Sequence, residues 1–311
     1  CIFLSLFFYP ITFYKKYYAS LFFVPVIFTL FEWFRGVIFT GFPWLSLGYS
    51  QIPNGPLAGY VSIVGVYGIT FLILLSITIT LRIFKKKYSR ESIWLGLFIV
   101  LVWGSGDLLK NVSWVNKINS PLKVSLIQGN ISQDKKWDSK FLNESLIKYM
   151  RLIKSSNASL IVLPETSIPL MLHQIPNNYL NEIRSHAIKN DGDVILGVIE
   201  KEKEEFYNSA ISIGTAPMQS YRKFHLVPFG EFIPFNKIIG YIYKNWLDIP
   251  FSDLSRGLEI QPPIVLSGQR LGLNICYEDV FGYEINKSLP EATLLVNISN
   301  DAWYGKSIAA S

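Results

Sequence analysis

Only two cysteines, Cys1 and Cys276, occur in 311 residues. Residues 121–311 hold one of them, which excludes an internal disulfide there and any metal site built on cysteine pairs. Histidine is nearly as scarce, and His173, His186 and His225 lack metal-ligand spacing. No Walker A loop, GxGxxG run or internal repeat is present, so no metal and no cofactor is expected. Charge is missing from long stretches. Pro56–Leu81 runs for 26 residues without one, enough to cross a hydrocarbon core of about 30 Å. Tyr18–Phe31 with its flanks and Ser92–Gly106 are similar but shorter, and Cys1–Phe13 reads as the tail of another span. Residues 1–120 thus read as about four spans, the first cut short. The chain opens inside an apolar run without an initiator Met, and it reads as a fragment of a longer protein.

The net charge is +6, but its placement says more. Ten Lys/Arg face three Asp/Glu before Pro121, and nineteen face twenty from Pro121 onward. A nucleic-acid binder would carry its basic excess on the folded domain, so no nucleic-acid partner is expected. Here the excess sits between apolar runs, as the positive-inside rule requires. Lys15 and Lys16 mark one cytoplasmic loop, and Arg82, Lys85, Lys86, Lys87 and Arg90 mark another. Counting spans from there places residues 121–311 on the outer face. Glu32 and Arg35 stand near the outer end of a span, where they either pair or lie at a functional membrane interface.

From Pro121 onward the pattern changes. Strands are expected at 123–130, 159–165, 193–200, 207–214, 271–278 and 292–300. Helices are expected at Ser139–Ser155 and Asn178–Lys189. Apolar strands alternating with helices argue an α/β domain whose sheets are covered on both faces. Residues 215–262 read as irregular and rich in Pro, Gly and aromatics. Loops of that length are commonly functional.

Three strand ends carry chemistry-bearing residues. Glu165 follows LIVLP, Lys223 sits in YRKFHLVPFGEFIP, and Cys276 ends LGLNIC. Each has a plainer reading: an acid capping a turn, a solvated lysine, a core cysteine. Glu278 and Asp279 close behind Cys276 would hold its thiol protonated, and a thiol is a poor nucleophile. Taken together, the three suggest covalent catalysis. A carboxylate can take the thiol proton, and an ammonium can stabilise both thiolate and oxyanion. The backbone N–H of Tyr277 is a natural second oxyanion donor.

LPE, KFHLVPFGEF and ICYE resemble the Glu–Lys–Cys motifs of the nitrilase, or carbon–nitrogen hydrolase, superfamily. The ordered set is narrower. QGNISQDKKWD, LIVLPETSIP, YRKFHLVPFGEFIPF, ICYEDVF and NISNDAWYG follow FEWFRG, FTGFPWLSLGYSQ and PLAGYVSIVGVYG. Together they resemble the apolipoprotein N-acyltransferase family, over nearly the whole chain. The resemblance implies a multi-span α-helical membrane segment followed by an α/β, nitrilase-like α-β-β-α sandwich. It also implies a bacterial inner-membrane location, with the catalytic domain on the periplasmic face and further spans at both ends.

By motif, Glu165 is then the base, Lys223 the oxyanion stabiliser and Cys276 the nucleophile. Glu231, Glu278 and Tyr277 support the site, Trp137 stands at the mouth of a lipid site, and Asn300, Asp301 and Trp303 shape the pocket. His225 reads as a structural loop hydrogen-bonder. The implied partners are a phospholipid acyl donor, phosphatidylethanolamine, and a diacylated apolipoprotein acceptor. Phe224, Phe229, Phe232, Phe235, Tyr241, Tyr243 and Trp246 suit arms dipping into the membrane interface, or an ordinary core. A membrane-anchored amidohydrolase using water as acceptor would need the same triad, and a non-enzymatic scaffold would need none of it.

Overall fold

The computed structural model describes residues 17–86, 89–118, 121–132, 136–234 and 253–305. Two compact units are present, Cys1–Lys117 and Ile118–Ser311.

The first unit is helical, with α1 (Tyr17–Arg35), α2 (Val61–Lys85) and α3 (Arg90–Leu109); a connection through the short 3-10 helices Ile38–Thr40, Leu47–Gln51 and Pro56–Tyr60 joins α1 to α2, and a shorter one joins α2 to α3. Two stretches, Pro56–Lys85 and Arg90–Leu109, are long and apolar enough to cross a membrane. The span expected at Tyr18–Phe31 with its flanks falls on the helix α1, which carries Pro25 and is not one of these two stretches. Cys1–Phe13, Lys15, Lys16 and Lys87 lie outside the described residues. Ser89 caps α3 by accepting from Ser92 N at 3.1 Å. Arg82 and Lys86 grip Glu91 at 2.7 and 2.5 Å. Glu32 and Arg35 stand 3.9 Å apart. Glu32 is buried and accepts from Leu47 N at 2.8 Å and Thr70 Oγ1 at 2.7 Å. A buried carboxylate needs such donors to offset its desolvation.

The second unit holds two sheets. One is ordered β1 (Val124–Leu126), β2 (Leu160–Val162), β3 (Asp193–Glu202), β4 (Glu205–Gly214) and β5 (Ser220–Arg222). The first three strands are parallel, and β3–β4 is a ten-pair antiparallel hairpin. The other sheet is ordered β6 (Ile264–Leu266), β7 (Gln269–Ile275) and β8 (Leu294–Ile298), with β7 and β8 parallel. Strand alternation assigns each side chain its core. Ile161, Leu163, Val194, Leu196, Val198, Ile211 and Ile213 face α4 (Leu142–Ser155) and α5 (Asn177–Lys189). Leu160, Val162, Ile195 and Ala210 meet Ile264, Leu266, Leu271, Leu273, Ile275 and Ile298 between the sheets. A one-residue slip would exchange these faces, and each large side chain so exposed loses about 1.5–3 kcal/mol.

Helix, sheet and sheet are thus three of the four expected layers. Beyond the second sheet the described residues give the short helix α6 (Gly282–Ile285) and the turn Asn286–Ser288. Gly272 faces away from the inter-sheet core, and a Cβ there would stand 2.5 Å from Ser288 Oγ. Buried Asp193 ties the sheets together. It accepts from Ser267 N at 3.0 Å and Ala216 N at 2.9 Å. Several strands are shorter than expected, because the chain leaves the ladder early where it carries polar groups into the site. The strand β5 was not expected within 215–262. It has no apolar run and forms by pairing with the edge of β4.

Candidate active site

Glu165, Lys223 and Cys276 follow the carboxyl ends of β2, β5 and β7, where α/β sheets usually carry ligand sites. Lys223 is only 1% exposed. Its Nζ lies 2.9 Å from both carboxylate oxygens of Glu231 and 3.5 Å from Glu165 Oε1. Asn208, on β4, joins the two acids. Its Nδ2 donates to Glu165 Oε1 at 2.7 Å and to Glu231 Oε1 at 2.9 Å. Glu231 Oε2 also accepts from Val227 N at 2.8 Å, which fixes the PFGEF loop. Asn300 N donates to Glu165 Oε2 at 3.3 Å. Burial opposes the Lys223 charge, but Glu165, Glu231 and Cys276 outweigh it and raise its pKa. Lys223 is therefore a fixed cation.

Cys276 is half-buried and packs against the inter-sheet core. It turns from strand into the short helix Cys276–Val280 with φ +53°. A non-glycine residue in that region is strained. Thr166, directly after Glu165, and Phe229, in the PFGEF loop, are also left-handed, at +43° and +62°. Burial pushes the Cys276 thiol up to about 12, and Glu165 and Glu231 add to that; Lys223 and a hydrogen bond from Ser299 pull the other way. The acids that hold the thiol protonated are thus Glu165 and Glu231. Glu278 and Asp279, beside it in sequence, are not the cause.

The buried carboxylate of Glu278 is occupied by four donors. Phe224 N and His225 N donate to Oε1 at 2.8 and 3.0 Å, and Ile275 N and Tyr221 OH to Oε2 at 2.7 and 2.9 Å. Glu278 therefore locks the segment after Lys223 to the strand before Cys276. Its own pKa is raised, with burial outweighing these hydrogen bonds and Lys223. His225 Nδ1–H donates to Glu284 Oε1 at 2.9 Å, and the ring stacks on Phe281 at 3.7 Å. Tyr277 is buried edge-on to both rings.

Beside the triad opens a cavity of about 690 Å³ lined by Gln128–Ser132, Lys136, Ser167 and Ser299–Ala302, among others. Asn300 and Asp301 lie on it, and Asn300 also caps the Asp301–Tyr304 turn. Trp303 belongs to that turn, but its side chain lies outside the described residues, as do Phe235, Tyr241, Tyr243 and Trp246. Trp137 is half-buried, next to the cavity-lining Lys136. Sequence reasoning missed Asn208 and Lys136. The only signals were a polar residue inside an apolar strand and a lysine within KKWD.

The sequence profile of the carbon–nitrogen hydrolases matches residues 123–311. The chain belongs to this family. The profile of the apolipoprotein N-acyltransferase N-terminal domain matches residues 1–79. Three curated relatives bear the name apolipoprotein N-acyltransferase. The one from Nitrosomonas europaea is 46% identical over 92% of this chain and 57% of its own length. That from Chromobacterium violaceum is 39% identical over 92% and 56%. That from Ralstonia nicotianae is 39% identical over 89% and 53%. The chain thus spans little more than half the length of these relatives. Among solved structures, a carbon–nitrogen hydrolase superfamily protein from Xanthomonas campestris aligns at 18% identity. It covers 58% of this chain and 64% of that one, with a TM-score of 0.40.

Proposed function

We propose that this chain carries the catalytic centre of an apolipoprotein N-acyltransferase working through a Cys276 thioester. The observation that supports it is the buried Lys223 held between Glu165 and Glu231, in a chain similar to those relatives across 89–92% of its length. Glu165 takes the Cys276 proton as sulfur attacks the sn-1 ester carbonyl of phosphatidylethanolamine. Lys223 and the Tyr277 N–H receive the charge of the tetrahedral oxyanion. Collapse breaks the ester C–O bond, the proton passes from Glu165 to the leaving oxygen, and a lysophospholipid departs.

The α-amine of a diacylglyceryl-cysteine at a lipoprotein N-terminus then attacks the thioester. Glu165 takes the amine proton, the amide forms, and the proton returns to sulfur. Glu231, Glu278 and Asn300 position these groups. Trp137 borders the lipid entry. Residues 1–120 anchor the enzyme in a bacterial inner membrane through several spans. Residues 121–311 stand on the periplasmic side.

The test mixes the chain in detergent micelles with acyl-labelled phosphatidylethanolamine and a diacylated lipopeptide. N-acylated peptide with stoichiometric lysophospholipid is expected. Labelled free fatty acid without N-acylated peptide would make the protein an amidohydrolase-type enzyme instead.

A further inference from the structure

Lys136 is a second lysine of the site, and the mechanism above does not use it. It is 6% exposed. Its ammonium donates to Glu165 O at 3.2 Å and Thr166 Oγ1 at 2.5 Å. Both acceptors are neutral, and among the described residues none forms an ion pair with Lys136. Lys223, by contrast, sits between two carboxylates. A buried ammonium without a counter-charge costs several kcal/mol. It has three donors, and two are accounted for. Lys136 also lines the cavity beside the triad. The one carboxylate on that lining, Asp301, accepts from Ser299 Oγ at 3.0 Å. Burial draws the Lys136 pKa down to about 8, and Glu165 and Cys276 are near enough to oppose that fall.

We propose that Lys136 is an anion subsite beside Cys276, and that it takes the monoanionic phosphodiester of the acyl donor. The donor half rests on the acyl-transfer reading, whereas the anion half does not. In a phospholipid the glycerol unit puts the phosphodiester a few bonds from the sn-1 carbonyl. A cation close to the nucleophile, on the wall of the cavity, is where that fixed charge falls. The ammonium already lies 5.8 Å from the centre of the Trp137 ring, and the same contact would add a direct anionic partner.

Alkylation tests the anion half. Iodoacetate and iodoacetamide differ in charge, and their rates at Cys276 are read by peptide mass. The rate ratio of iodoacetate to iodoacetamide should fall about tenfold in Lys136→Gln, the scale of one lost charge pair at low effective dielectric. Lys136→Arg should retain it. An unchanged ratio in Lys136→Gln would overturn the proposal. The wild-type protein supplies a measurement free of folding effects: phospholipid micelles should slow iodoacetate more than inorganic phosphate does. Protection by inorganic phosphate alone would overturn the donor assignment.

Acylation then tests the donor half. Lys136→Gln should raise KM at least tenfold for the phospholipid and leave acylation by an uncharged p-nitrophenyl ester within twofold. Equal losses with both esters would reduce Lys136 to a prop for the Glu165–Thr166 turn and overturn the subsite. If phospholipid fails to acylate wild-type Cys276 at all, the acyl-transfer reading falls with the donor assignment, and the alkylation ratio still judges the anion site.

Discussion

A thiol with a pKa of about 12 is ionised in roughly one molecule in 10⁵ at pH 7, since each pH unit below the pKa costs a factor of ten. The resting sulfur is therefore SH, and in the proposed reaction its proton leaves as the C–S bond forms. Glu165 raises the thiol pKa as a neighbouring charge, and in the proposed reaction it is also the group that receives the proton. Lys223 lowers it. The two predictions have opposite signs. Lys223→Met should shift the alkylation pKa of Cys276 upward, and an unchanged profile would remove Lys223 from the thiol's electrostatics. Glu165→Gln should shift it downward yet slow acyl transfer by about 10²–10⁴-fold, the usual size of general-base catalysis. A variant with a lower thiol pKa and full activity would show that Glu165 is not the base. At this scale the sequence was partly legible. Glu165 and Cys276 stood out because each ends an apolar run, where a charged or reactive group is unexpected, and Lys223 stood out through the motif around it, YRKFHLVPFGEFIP. Asn208 and Lys136 did not. A single amide in a strand has no spacing signal, and a lysine reads as surface until its burial is known.

Among the elements, Glu278 and Gly197 carry the most local consequence. Glu278 Oε1 and Oε2 each accept two donors. Glu278→Gln places an NH₂ against donors that already need an acceptor. It should lower stability by about 2–4 kcal/mol, as for a disrupted buried network, read by urea unfolding. Wild-type stability would mean the segment after Lys223 is held by other contacts. Gly197, in β3, lies against the turn that carries Glu165. A Cβ there would stand 2.4 Å from Pro164 O and 2.6 Å from Thr166 N. Gly197→Ala should therefore cost about 1–3 kcal/mol by overpacking and reduce acylation more than thiol alkylation. Equal, small effects on both would show that the turn yields without moving Glu165. The strands with long apolar runs were readable from sequence. The short edge strand β5 was not, since its three residues form a strand only where β4 offers free backbone groups.

For the whole molecule, two apolar helices and a basic connection between them make membrane insertion the governing expectation. The chain should remain with membranes after alkaline extraction. Membrane-impermeant maleimide should label Glu204→Cys, on the exposed β3–β4 turn, in intact spheroplasts. It should label Ser89→Cys, between α2 and α3, only after permeabilisation. The reverse pattern would invert the proposed orientation. Charge placement made this scale legible, because Lys and Arg cross a bilayer at a cost that sequence records directly. The PFGEF loop carries a further consequence. One amide, that of Asn208, grips the carboxylates of Glu165 and Glu231 together. Moving the loop that bears Glu231 would break one of these two bonds and one side of the Lys223 pairing, while Glu165 stays held by Asn208, Lys223 and Asn300 N. Such a loop acts as a charge regulator: seated, it sets two carboxylates against one buried ammonium, and displaced, it would leave Lys223 facing Glu165 alone.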